Sequence, residues 1–379
     1  MQYTEQRENA LFASWKFDNS EEDYNAIIEV LNKEFRSFGE GLACTLEQKA
    51  KKRIEDPALY LEELCEAAGV SIQEIGSRNT IKSWFAGGAR PKKGEASRKK
   101  LFAFAFALKL NPTETAELFH KVYLDRAFNH RSYNELIYYY CLNNGLSFAH
   151  AEELIKRVSF CLDANAGQTV MTSYIAEEAA LLHSDLELME FIQANGHNFA
   201  INSRSAKEAL LRIKQLALSA AQEEQFSSGA DSLSYRRDRT SDSFLYTIIT
   251  ERSVAGPRGT ITLPFQNTVF PKEIKTNFPQ VKSLSGESNS FEELRKTIIL
   301  LFSYFFWRKA FSSNLTDYYD DYCDQLNDLL FRSQLPELYY GNPFDWMFLY
   351  CTFVGAERAL DVFRGILSEV LDEKDSLSV

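Results

Sequence analysis

The sequence predicts a mainly α fold, a multi-helix bundle. Three observations carry that expectation. Apolar residues recur at steps of three and four over most of the chain, helix-start signals precede these runs, and the connections between them are short, as in antiparallel bundles. The length of 379 residues allows two or three compact units, and 45% hydrophobic with 25% charged residues is an ordinary globular composition.

Tyr24, Ile28, Leu31 and Phe35 form the first amphipathic stripe. Phe102, Phe104 and Phe106 alternate with Ala103, Ala105 and Ala107. Both phases are apolar and Ala is depleted in strands, so a buried helix is expected there. Asn111, Pro112 and Glu114 supply an N-cap, a proline at the first helical position and an acid at the third. Ser132 and Ser147 begin helices running through Tyr140 and Val158, and Ala206, Leu210, Ile213 and Ala217 mark another. Ile298 to Trp307 is apolar on every side, which suits a central core helix, and it is too short for the roughly 20 residues of a membrane span. Tyr318, Tyr322, Leu326 and Leu329 form a stripe whose neighbouring acids face water. The same aromatic stretch, with Leu338 to Tyr340, is where a peptide or protein partner of the C-terminal region would dock. Asn342, Pro343 and Asp345 repeat the start signal before Met347, Phe348 and Tyr350.

Periodicity fails from Glu224 to Ser243, a stretch rich in Ser, Asp and Arg. After it, Phe244, Tyr246 and Ile248 alternate ahead of Gly256 to Gly259 and Thr260 to Leu263. A small β-hairpin near residues 244–265 and a helix followed by a loop both fit. The expected organisation is an N-terminal helical segment (1–40), a compact domain (41–128), a second helical domain (129–223), a polar linker (224–243) and a mainly helical C-terminal domain (244–379).

The formal net charge is −11, so the whole molecule repels polyanions unless its cations are concentrated. They are. Ser77 to Lys100 carries Arg78, Lys82, Arg90, Lys92, Lys93, Arg98, Lys99 and Lys100 against the single Glu95. Such segregation is what a nucleic-acid surface in an acidic protein requires, although a solvated basic loop has the same composition. The cations of Arg98 to Lys100 stand at a helix start, against the macrodipole, so they are either tolerated surface charges or held by a polyanion.

Within this segment Ser77 can cap a helix, Ile81 and Trp84 share one apolar face, and Gly87 with Gly88 stops the helix. The opposite face presents Arg78, Asn79, Lys82 and Ser83. Ser77, Thr80, Ile81, Trp84, Gly87 and Arg90-Pro91 fill the places of the S-x-x-T-I-x-x-W, Gly and Arg-Pro pattern. On these residues the segment resembles the helix-turn-helix domain of the Cro and phage-repressor (XRE-like) type, over about residues 57–123. Upstream, two registers fit. Either Leu64 to Ser71 ends the second helix of the motif and six extra residues follow, or Ser71 to Ile75 is itself a truncated second helix.

The resemblance implies a multi-helix bundle containing a helix-turn-helix unit, double-stranded DNA as partner and a homodimer on a pseudo-palindromic site. Ser77, Arg78, Asn79, Thr80, Lys82 and Ser83 would lie in the major groove, while Arg90, Lys92 and Lys93 would hold phosphates. A DNA-binding transcriptional regulator is the first expectation. The second is an interaction or scaffold protein of a mobile element or defence system, with a degenerate helix-turn-helix. No enzyme is expected, and no cofactor or metal: His120, His130, His150, His183 and His197 are scattered, and no phosphate loop or nucleophile motif occurs. The six cysteines stand singly and the N-terminus lacks a signal-peptide pattern, so reduced thiols and a cytoplasmic location are expected.

Overall fold

The computed structural model describes residues 3–13, 21–87, 90–158, 172–199, 204–227, 241–250, 270–276, 278–286, 290–309, 315–355 and 358–376. Among them the regular elements are helical and no strand occurs. In chain order the α-helices begin with α1 (Tyr3–Ala13) and α2 (Glu21–Lys33). There follow α3 (Phe38–Ala50), α4 (Pro57–Ala68), α5 (Ile72–Ile75), α6 (Arg78–Phe85), α7 (Glu95–Ala107) and α8 (Pro112–Glu117). A π-helical turn, Leu118–Tyr123, extends α8. Next come α9 (Tyr133–Asn143), α10 (Phe148–Val158), α11 (Thr172–Ala180) and α12 (Asp185–Ala194). The last are α13 (Arg204–Ser227), α14 (Asp242–Thr250), α15 (Lys272–Lys275), α16 (Phe291–Lys309), α17 (Leu315–Arg332), α18 (Pro343–Gly355) and α19 (Ala359–Ser376).

The chain forms two compact units, one of Arg36–Asn202 and one of Met1–Phe35 with Ser203–Val379. This division differs from the expected one. Residues 41–128 and 129–223 were separate domains in the sequence, whereas α3 to α12 share one core. Phe102 of α7 stacks on Tyr138 of α9 at 4.8 Å between centroids, and Tyr138 stacks in turn on Phe148 of α10 at 6.0 Å. The N-terminal helices α1 and α2, and α13, belong to the other unit.

In the Arg36–Asn202 unit, α7 is the central helix. Leu101 to Leu108 is buried on every face, so Phe and Ala alternate without either phase reaching water. The alanines leave room for neighbouring helices and the phenylalanines fill the space between them. Asn111 caps α8 as expected: its side chain accepts from the Glu114 amide at 2.8 Å, and the Glu114 carboxylate accepts from the Asn111 amide at 2.8 Å.

In the other unit α16 takes the core position that its apolar run implies, with Ile298 to Leu301 buried. Asn342 caps α18 through the Phe344 amide at 3.0 Å. Asp345 does not complete a capping box; it faces Arg295 of α16, with two contacts of 2.7 Å. Tyr318, Tyr319, Tyr322 and Tyr339 are buried in the core, while Leu338 and Tyr340 are half-buried. Phe244, Tyr246 and Ile248 lie in α14, which removes the first arm of the hairpin; Thr260 to Leu263 fall outside the described residues.

Candidate nucleic-acid interface

The helices that position the basic face follow from local chemistry. Asp56 opens α4, accepting from the amides of Ala58 at 3.1 Å and Leu59 at 3.0 Å, and Gly69 closes it in the left-handed region at φ 66°. Ser71 caps the single turn α5, and Ser77 then caps α6. Both segments that the two upstream registers offer are helical: Leu64 to Ala68 is the last part of α4, and Ile72 to Ile75 is a short helix of its own.

One face of α6 is fastened to the unit. Ile81 and Trp84 are buried, and the Trp84 ring meets Phe38 of α3 edge-on at 5.5 Å. Gly39 of α3 lets the two backbones meet: a Cβ there would stand 1.9 Å from the Trp84 carbonyl oxygen. The other face carries Arg78, Asn79 and Lys82, all exposed, with Ser83 half-buried beside them. Arg78 is 70% exposed, and its Nε lies 3.0 Å from Oε1 of Glu62 on α4. Ser77 and Thr80 are occupied with each other, their hydroxyls 2.8 Å apart, while Ser77 Oγ accepts from the Thr80 amide. They hold the start of α6 rather than extend from it.

The expected phosphate set divides. Lys92 is exposed and Arg90 half-buried. Lys93 turns inward instead. Its Nζ donates to the carbonyls of Tyr123 and Leu124, the latter at 2.7 Å, and sits 4.1 Å from the centre of the Tyr123 ring. The Tyr123 hydroxyl donates to the Lys92 carbonyl at 2.9 Å. Lys93 thus caps the C-terminal carbonyls of the π-helical turn, where a cation is favoured.

Arg98 and Lys99 also have partners within the fold, so their place at a helix start no longer argues for a polyanion. Arg98 is only 4% exposed. It forms a double contact with Glu135 of α9 at 2.7 Å each, pairs with Asp125 at 3.1 Å, and donates to the carbonyls of Arg126 and Ala127. Burial opposes its charge, but Glu135 and Asp125 outweigh that and hold the guanidinium protonated. Burial likewise opposes the charge on Asp125, yet Lys93, Arg98 and Arg126 keep its carboxyl below the usual range. Arg126 goes the other way, pushed down to about 10 by burial and then by Arg98. Lys99 donates to Glu152 at 2.6 Å, with Glu74 3.6 Å away.

Residues 77–100 therefore divide: Arg78, Lys82 and Lys92 are exposed, Arg90 and Lys100 half-buried, Lys93 and Arg98 turn toward internal carbonyls and acids, and Lys99, 39% exposed, pairs with Glu152 and Glu74 at the surface. Glu152, Asp125 and Glu135, the acids that hold Lys99 and Arg98, were not singled out in the sequence. Their partners lie 53, 27 and 37 positions away, beyond any local pattern. Among the described residues no group of three His, Cys, Asp or Glu side chains could hold a metal ion, and no helix is long and apolar enough to cross a membrane. No family model matches the chain, and no curated protein and no solved structure matches it.

Proposed function

We propose that the chain is a DNA-binding regulator in which α6 enters the major groove. The observation that carries this reading is the two-sidedness of α6. Ile81 and Trp84 anchor it, while Arg78, Asn79, Lys82 and Ser83 face outward from its first two turns. Arg pairs with guanine, Asn with adenine, and Lys or Ser reaches either bases or phosphates, so these side chains match a base-reading surface. Lys92 and Arg90, in the loop after α6, would grip the backbone and set the register without reading sequence. Lys93 is assigned to the fold and not to phosphate. The short helix α5, in front of α6, takes the place of the helix that crosses the DNA backbone. The acidic remainder of the chain discourages nonspecific adhesion, and a homodimer on a two-fold site follows from the resemblance.

The test is binding of the full chain to duplexes selected from a randomised pool, comparing wild type with the Arg78→Ala/Lys82→Ala variant. Sequence-selective binding that the variant loses supports the proposal. Unchanged affinity in a folded variant rejects it.

A second reading, a protein-interaction role for a degenerate helix-turn-helix, is favoured by one observation: three of the eight basic groups are engaged by partners within the chain. It requires DNA affinity no tighter than the nonspecific range of about 1 to 100 µM.

A further inference from the structure

Leu181 and Leu186, 67% and 69% exposed, are the two most exposed leucines among the described residues. They stand at the two ends of the connection between α11 and α12, and Tyr174, also exposed, lies two helical turns before Leu181. On α11 the inward stripe is Ile175 and Ala179. Tyr174 and Leu181 share a line outside it, with Glu177 and Glu178 on either flank. On α12 Leu188 and Ile192 are buried, while Leu186 and Glu190 are exposed one turn apart. Single exposed leucines are ordinary on a protein surface; a cluster of them marks an interaction site.

The backbone that carries these side chains is well held. Asn143 and Asn144 of α9 donate to the carbonyls of Ala180 at 3.4 Å and Leu182 at 3.0 Å. Asp185 accepts from the Tyr140 hydroxyl at 3.0 Å and meets Nε2 of His150 on α10 at 3.0 Å. Ser184 and Glu187 close a capping box on α12. Leu181 and Leu186 are therefore displayed on an ordered connection, and a partner meeting them incurs little ordering cost on this side.

Charge selects the partner. Residues 172–199 contain Glu177, Glu178, Asp185, Glu187 and Glu190 and no Lys or Arg. Arg157 of α10, whose charge reaches Asp185, bounds the acidic strip there. Acids beside an apolar face repel DNA, anionic lipid and a second copy of the same face, and they attract cations. We propose that the outer face of α11 and α12 docks a basic amphipathic helix of a partner protein. The apolar side of that helix would rest on Tyr174, Leu181 and Leu186, and its lysines or arginines on Glu177, Glu178 and Glu190. This surface belongs to the Arg36–Asn202 unit, and its role does not depend on whether α6 enters DNA.

The experiment uses the full chain and a synthetic helical peptide with leucines along one side and lysines along the other. Its binding is read by fluorescence anisotropy against salt for wild type, Leu181→Gln/Leu186→Gln, Glu177→Gln/Glu190→Gln and Leu59→Gln, after melting curves establish that each folds. Leu59 of α4, 55% exposed and outside the patch, serves as the control. Wild type is expected to bind this peptide and not a version with glutamate in place of lysine. Leu181→Gln/Leu186→Gln weakens binding by about tenfold or more at every salt concentration. Glu177→Gln/Glu190→Gln weakens it at low salt and flattens its salt dependence, and Leu59→Gln binds as wild type does. No binding by wild type, or equal binding by all four proteins, overturns the proposal. Sedimentation that shows a wild-type dimer lost in Leu181→Gln/Leu186→Gln also overturns it, because the occupant is then a second copy.

Discussion

Arg98 of α7 and Glu135 of α9 meet through two parallel contacts, Nε to Oε1 and Nη2 to Oε2, each 2.7 Å long. Both side chains are buried, and Glu135 also accepts from the Asn129 amide at 2.7 Å. The pair joins the helix that supports the basic face to the next layer of the same unit. Removing one partner leaves the other charge buried and uncompensated. Arg98→Met is therefore expected to destabilise the chain by about 3 to 5 kcal/mol, and the Arg98→Met/Glu135→Leu double variant by less. Urea unfolding midpoints read both; a loss below about 1 kcal/mol for Arg98→Met would show that the pair is not a structural hub.

Gly39 tests how α6 is seated. Its substitution by Ala places a methyl group 1.9 Å from the Trp84 carbonyl, and backbone cannot yield as a side-chain end can. Gly39→Ala should cost about 1 to 3 kcal/mol or more and lower the melting temperature. A variant melting with the wild type would mean that α3 and α6 do not approach this closely.

Lys82 and Lys93 are both basic and both lie in the same 24-residue stretch, yet opposite phenotypes are expected. Lys82→Ala should leave the melting temperature unchanged and, if Lys82 meets a phosphate, flatten the salt slope of DNA binding by about 0.9. Lys93→Ala should leave the slope alone and lower stability, because the carbonyls of Tyr123 and Leu124 lose their donor. An exchange of these two phenotypes would refute the division of the basic segment into inward and outward groups.

His130 supplies a pH dependence. Burial pushes its imidazole down to about 4 from 6.5, with Glu135 opposing and Arg126 reinforcing the fall. Below pH 6.5 the unfolded chain takes up a proton that the folded chain refuses. Stability should thus decline as pH falls from 6.5 to about 4, by at most about 1.4 kcal/mol per unit, and this component should level off below 4. His130→Phe keeps a ring beside Phe128 and Tyr139 and removes the titration. Equal pH slopes for wild type and variant in that interval would show that His130 is protonated in the fold.

Helical class and most helix starts were legible because they rest on local patterns. Asn111 with Glu114 and the Ile81–Trp84 face each concern residues a turn apart, and each is present as expected. Long-range pairing was not legible. Arg98 and Lys93 have the composition of a surface patch until Glu135, Asp125 and the carbonyls after Phe119 arrive from later in the chain. For the same reason the boundary drawn at 128 cut through one core: Phe102, Tyr138 and Phe148 show periodicity within their own helices, not the stack they share. The alternation of Phe244, Tyr246 and Ile248 fitted two states, and packing selected the helix, with Phe244 and Tyr246 buried.

The most direct measurement is a salt series of binding to a selected duplex, comparing wild type with an Asn79→Ala/Lys82→Ala/Lys92→Ala variant whose fold has been checked. If α6 lies in the major groove with Lys92 on the backbone, the variant loses affinity and its slope of log affinity against log salt flattens by about 0.9 for each phosphate contact removed. If both proteins bind duplex weakly and alike, α6 does not contact DNA, and its outward face belongs to a protein partner.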